Sequence, residues 1–351
     1  MKQLLATVMA CVCALGLFAD VSPIYLKAGA TGAGDGSSWA DAMTDVYAAI
    51  SLADETGRPV YAARGYYQLT NQRTLTSGLE FYGGFPGVSD SETLEDRDTA
   101  KYQTIVSQVA ATSLKWNHAM PQSEQFSISV AALNAAENPV IVTDNDGYPV
   151  FNPPPAPEGD FDGYYVSGGS SRRFVNAGAN MDLTVDGVWF IGFATDPSIQ
   201  VDSENANCGV RTINDCRFFG AIGPKLTHVG YIHSDILSAK ITNCEFRHAY
   251  NVKPVLELYG HHSIVEDCAF SDIFRTDVKN GNEIIYVKKN RVTVRGCSFE
   301  RCVAVTKSDG ESPANGAANL IGWSSNENNN DLVQIEDCTM THNLSMAQYG
   351  Y

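Results

Sequence analysis

Positive charge is scarce in this 351-residue chain: 24 Lys and Arg stand against 40 Asp and Glu, a formal charge of −16. A nucleic-acid-binding role needs a cationic face, so that class is excluded. Beyond Leu4 to Phe18 no run is long and apolar enough to cross a bilayer. No Cys-x-x-Cys or paired Cys/His spacing exists, which argues against a zinc site. The glycine-rich stretch from Gly29 to Gly36 lacks a phosphate-binding spacing, so no nucleotide is expected there. Charged residues make up only 18% against 44% hydrophobic, a balance that belongs to folded chains rather than disordered ones.

The start of the chain reads as a secretory signal peptide over residues 1–19. Met1-Lys2 supplies a short positive start, the apolar run follows, and Ala19 before Asp20 is the expected cleavage point. The expected location is secreted or at the cell surface, associated with the outer membrane. Removing the leader leaves seven cysteines, an odd number that argues against a complete disulfide framework.

A repeat accounts for those cysteines better. Leu183-Thr-Val-Asp-Gly-Val188-Trp-Phe190 aligns with Thr212-Ile-Asn-Asp-Cys216-Arg-Phe218 and Lys240-Ile-Thr-Asn-Cys244-Glu-Phe246. Ser263-Ile-Val-Glu-Asp-Cys268-Ala-Phe270, Val292-Thr-Val-Arg-Gly-Cys297-Ser-Phe299 and Val333-Gln-Ile-Glu-Asp-Cys338-Thr-Met340 continue it, at spacings of 28, 28, 24, 29 and 41. A period in the twenties means stacked units, none able to bury its apolar face alone. Apolar and polar residues alternate on both sides of the cysteine, as strands require. The residue before it is always Gly, Asn or Asp, the types that tolerate a positive φ, so the chain is expected to turn a corner there. A third strand is expected about twelve residues upstream, with Ile232, Leu256 and Ile285 equivalent and Leu320 in the longer last turn. Coils of three strands, too short to carry helices, predict an all-β fold: a right-handed parallel β-helix. The cysteines and phenylalanines should then form interior columns of free thiols and rings, because parallel Cβ vectors disfavour disulfides.

Upstream, Ser38 with Asp41 reads as a helix start, and Trp39, Met43, Val46, Tyr47, Ile50 and Ala53 fall on one apolar face. An amphipathic helix there would cap the open end of the solenoid. Asp35-Gly-Ser-Ser-Trp-Ala-Asp-Ala, Pro59-Val-Tyr-Ala-Ala-Arg-Gly-Tyr-Tyr67 and Gly78-Leu-Glu-Phe-Tyr-Gly-Gly-Phe-Pro-Gly87, with Glu92 and Arg97-Asp98, resemble bacterial secreted right-handed parallel β-helix repeat proteins. These belong to the pectin-lyase-like superfold and include polymorphic-outer-membrane-type surface proteins. The resemblance spans residues 24–107 and 181–343 and implies fold and export more than chemistry. The expected organisation is a cap with first coils over 20–107, an irregular Pro-rich insertion over 108–180, and regular coils over 181–351 without a C-terminal cap. A partner or further chain is expected to cover that end.

The polygalacturonase signatures and the Trp-Ile-Asp-His run of pectate lyases are absent. One constellation remains: four residues after the ladder cysteines stand His248, Asp272 and Arg301, with Arg247 and Glu300 beside them. A histidine beside a carboxylate and an arginine suits proton abstraction from an acidic glycan; a row of alternating charges on a solvated face is the plainer reading. His248, Asp272 and Arg301 are therefore the candidate catalytic residues, and Arg247, Glu300 and Trp189 the candidate ligand-binding ones. No resident cofactor or metal is expected, apart from Ca²⁺ if the chain acts as a lyase. The leading expectation is a surface or secreted interaction module that binds polysaccharide or another cell-envelope component. A polysaccharide lyase or glycoside hydrolase comes second and an architectural stalk third.

Overall fold

The computed structural model describes residues 22–347 apart from 73, 125–126, 157–158, 160–162, 168, 170, 178–180, 194–196, 204–208, 222–224, 229–238, 252–253, 260–261, 279–281, 288–291, 308–317 and 324–332. The leader, Cys208, Tyr231, Ile232, His261 and the stretch 324–330 lie outside the described residues.

Strands dominate, and most of them fall into three parallel sheets that the chain visits in rotation. From Leu183 onward each turn gives one strand to the first sheet, one to the second and one to the third. One turn is Leu183–Asp186, Val188–Ile191 and Ile199–Ser203; the next is Arg211–Asn214, Arg217–Phe219 and Lys225–His228. Every strand pairs in parallel with its equivalent one turn away, as Ile213 does with Ile241 and Val265 with Val294. The first sheet reaches nine strands and the third seven. Two third-strand positions differ from the twelve-residue rule. In the turn after Cys216 the strand is Lys225–His228, with the extra residues following it rather than preceding it, and Ile285 pairs with Ile321 rather than Leu320. Loop length is free to vary after a strand as well as before it, so a fixed offset fails wherever a return loop lengthens.

The corner between first and second sheets is built as the residue types require. Gly187, Asp215, Asn243, Asp267, Gly296 and Asp337 all have φ between 48° and 72°. The left-handed residue reverses the alternation, so Ile213 and Cys216 both face the interior. Cys216, Cys244, Cys268 and Cys297 form one buried column of free thiols. Each sulfur donates to a carbonyl of the turn below, Cys244 Sγ to Ile213 O at 3.6 Å and Cys268 Sγ to Ile241 O at 3.7 Å. Burial holds the Cys244 thiol well above the usual thiol range, so its proton stays on sulfur. Beside it, Phe218, Phe246, Phe270 and Phe299 stack with centroids 4.7–4.8 Å apart and planes within 6°. Each buried ring stabilises the stack by about 2 kcal/mol. In the last turn Met340 continues the ring column and Ile335 the column of Ile213, Ile241, Val265 and Val294, and both are about half exposed.

The helix is Val46–Thr56, shorter than the pattern from Ser38 suggests. Asp45 is its N-cap, accepting from Ala48 N at 2.8 Å, and Gly57 in left-handed geometry ends it. Ser38 and Asp41 instead hold a loop together, Asp41 N donating to Ser38 Oγ at 3.0 Å. Trp39 leaves the helical face to pack on Tyr25 and Phe85 at 4.7 and 5.8 Å. Val46, Ala49, Ile50 and Ala53 join the same apolar cluster as Ile24, Leu26 and Val60 of the first strands.

The chain leaves the stack after Thr104–Ser107 of the second sheet and rejoins it at Val175–Ala177 of the third, inside the 108–180 boundary. Between these points it is not irregular. Lys115–Glu124 pairs antiparallel with both Ser127–Pro139 and Gly163–Ser167, and Ile141–Thr143 pairs with Pro149–Phe151. Pro153 to Ala156, after the strand Pro149–Phe151, carry no regular structure. The insertion lies on the outer face of the second sheet: Leu114, Trp116, Val140 and Val166 pack on Ile105, Ile191 and Phe219. Higher up, Ala119 packs on Phe274, Val303 and Val305.

Candidate functional site

Four residues after each ladder position stand Gly192, Gly220, His248, Asp272, Arg301 and His342, and every one has a positive φ, from 49° to 77°. The row is therefore a second left-handed bend, this time within the second sheet. A left-handed conformation costs a non-glycine residue about 1–2 kcal/mol, so four side chains held there need support from outside their own backbone.

The insertion supplies that support at His248 and Asp272, and Asp272 in turn holds Arg301. A Cβ on Gly192 would sit 2.6 Å from Leu114 Cδ2, and one on Gly220 would sit 2.3 Å from Val166 Cβ. Only hydrogen fits where the insertion presses closest. At the next position His248 Nδ1 lies 2.9 Å from the Tyr164 carbonyl. A carbonyl can only accept, so Nδ1 carries the proton and donates it. The ring packs edge-on to Trp116 at 5.1 Å and Phe219 at 5.9 Å. Gly163 passes over Asp272, leaving that carboxylate 5% exposed. Arg301 closes on it as a fork, Nε to Oδ1 at 2.6 Å and Nη2 to Oδ2 at 3.0 Å. His342, one turn beyond, is exposed. The row thus holds glycine where the insertion presses closest, side chains in contact with it at His248 and Asp272, and an exposed residue at His342.

The three candidate catalytic residues are neighbours, as their register demands, but their polar groups are directed to one another and to the insertion. His248 Nδ1 to Asp272 Oδ2 is 3.9 Å, beyond hydrogen-bond reach. Burial pushes the His248 imidazolium down to about 4, against a smaller opposing pull from Asp272, so the ring is neutral near pH 7. The Asp272 carboxylate raises the Arg301 guanidinium further. Arg247 stands one step away on the outward side, Nε 3.1 Å from Glu245 Oε2, in a ladder that continues from Glu245 Oε1 to Arg217 Nε at 3.0 Å. Glu300 is half exposed and pairs with Arg301 Nη1. Trp189 lies between Phe151 and Phe219 at 5.7 and 5.5 Å, and its indole N–H donates to Thr99 O at 2.9 Å.

Among the described residues no group of three or more His, Cys, Asp or Glu is placed to hold a metal. Asp144 spends Oδ1 on the backbone N–H groups of Asp146 and Tyr148, closing a turn. A cavity of about 140 Å³ lies elsewhere, beside the helix end, lined by Arg58, Glu80 and Asp182 among others. No described helix is long and apolar enough to cross a membrane.

Trp116, Tyr164, Gly163 and Val166 are the residues that the repeat does not reveal, since they stand outside its period. The available signal is the pair Gly192 and Gly220, which repeat at one offset from the ladder and mark a close approach of other chain. Comparison with family models, with curated proteins and with solved structures finds no match for this chain.

Proposed function

We propose that this protein is an exported right-handed parallel β-helix, three strands per coil, with Val46–Thr56 covering its N-terminal end. It works as a non-catalytic binding module at the cell surface, its ligand a glycan or another envelope component. The observation that carries the non-catalytic reading is the occupation of the His248–Asp272–Arg301 row by the chain's own insertion. A neutral histidine donating to Tyr164 O, beneath Trp116, has no room for a sugar ring. The outer face of the first sheet offers a different surface. Thr184, Thr212 and Lys240 recur there one strand apart, and Thr293 and Gln334 follow beyond Ile264, all at least partly exposed, a mainly polar row suited to an extended chain of hydroxyls.

The test is a panel of acidic and neutral polysaccharides, with Ca²⁺ present, read for binding and for new unsaturated ends. The expected result is binding without cleavage, unchanged in His248→Asn and reduced at least tenfold in Lys240→Glu. Cleavage that disappears in His248→Asn would establish the lyase instead, and no binding on the whole panel would leave the stalk.

A further inference from the structure

Arg211 opens the first-sheet strand Arg211–Asn214, where Arg211 and Ile213 are buried and Thr212 and Asn214 are not. Its side chain therefore points into the space between the sheets, and it is 2% exposed. Register places Leu183 below it and Ala239 above, followed by Ser263 and Val292. The column thus runs large, charged, small, small, large. A guanidinium keeps its proton under any condition the fold survives.

Other arginines of this protein face carboxylates: Arg97 meets Asp186 at 2.9 Å, Arg217 meets Asp215 at 2.9 Å, and Arg301 meets Asp272. Arg211 meets none among the described residues, and its buried Nε and Nη2 have no hydrogen-bond partner. A charge enclosed without a counter-charge is among the most destabilising features a core can hold. Compensation from outside the chain is what the chemistry demands, and the short side chains at 239 and 263 are where a large neighbour would otherwise fill the column.

We propose that Arg211 holds a small monovalent inorganic anion, of the size of chloride, between the sheets. One fixed positive charge calls for one negative charge; sulfate or phosphate would bring a second charge with no partner and a larger body. A weakly hydrated halide also loses less water on entry than fluoride does.

The test is thermal unfolding of the whole chain at constant ionic strength, with chloride or bromide replaced by gluconate, which is too large to enter. The midpoint should rise by about 3 °C for each tenfold increase in chloride once the site is more than half filled. Arg211→Leu, which repeats Leu183 from the turn below, should fold with the same circular dichroism and lose that dependence. Equal midpoints in chloride and gluconate, or the same chloride response in Arg211→Leu, would overturn the proposal. A second readout uses the unaltered chain: crystals grown in bromide should show an anomalous peak beside the Arg211 guanidinium. A carboxylate in its place would contradict it.

Discussion

Each turn from Leu183 onward makes two left-handed bends, one before the ladder position and one four residues after it, and the two are filled differently. The first accepts only Gly, Asn and Asp, while the second holds Gly, His, Asp and Arg. Backbone strain is the same at both, so strain alone does not select the residues. At the first bend the residue types tolerate left-handed backbone unaided, and contacts such as those of Asp215 with Arg217 and Thr99 add to that without selecting other side chains. At the second, the insertion lies against the row, and contacts with it offset the conformational cost. A cluster of titratable residues in strained backbone can therefore mark the seat of a covering segment as readily as an active site.

Removing the cover should have the largest effect. Trp116→Ala is expected to cost about 4 kcal/mol in chemical denaturation, with faster proteolytic nicking inside 115–167. A loss below 1 kcal/mol would mean that the insertion rests only loosely on the second sheet. Next comes the contrast between bends. Asp272→Ala leaves the Arg301 guanidinium beside an empty acceptor and should cost about 3 kcal/mol. Asp267→Ala, at the first bend, should cost only about 1 kcal/mol, from the left-handed backbone. Equal losses would erase the distinction drawn here.

Acidity sharpens the same contrast. Folded His248 titrates at about 4 and the unfolded chain at the ordinary 6.5, because burial disfavours the imidazolium. Between those values the unfolded state binds more protons, so stability is full above pH 6.5 and falls as pH drops toward 4. The loss is on the order of 3 kcal/mol over that window and should vanish from the pH profile of His248→Gln. The smallest change belongs to the bare face: Arg295→Ala removes an exposed pair with Glu266 and should cost less than about 0.5 kcal/mol.

The columns and the first bend were legible in the sequence because a period near 28 repeats the same chemistry at Cys216, Cys244 and Cys268, and the residues before them share one backbone preference. The juxtaposition of His248, Asp272 and Arg301 followed from that register too. Their surroundings did not. Trp116 and Tyr164 reach the row by antiparallel pairing across the insertion, a contact set by tertiary packing and invisible to any local period. The third strand was misplaced after Cys216 because loop length carries almost no free-energy signature in sequence.

His248 and His342 hold the same place on their turns, one beneath the insertion and one beyond it, and this makes a direct comparison available. Native protein treated with diethyl pyrocarbonate and mapped by mass spectrometry should carry the label on His342, with His248 protected until the chain unfolds. Equal labelling of the two histidines in the native state would contradict the covered row, and with it the account of why those residues stand there.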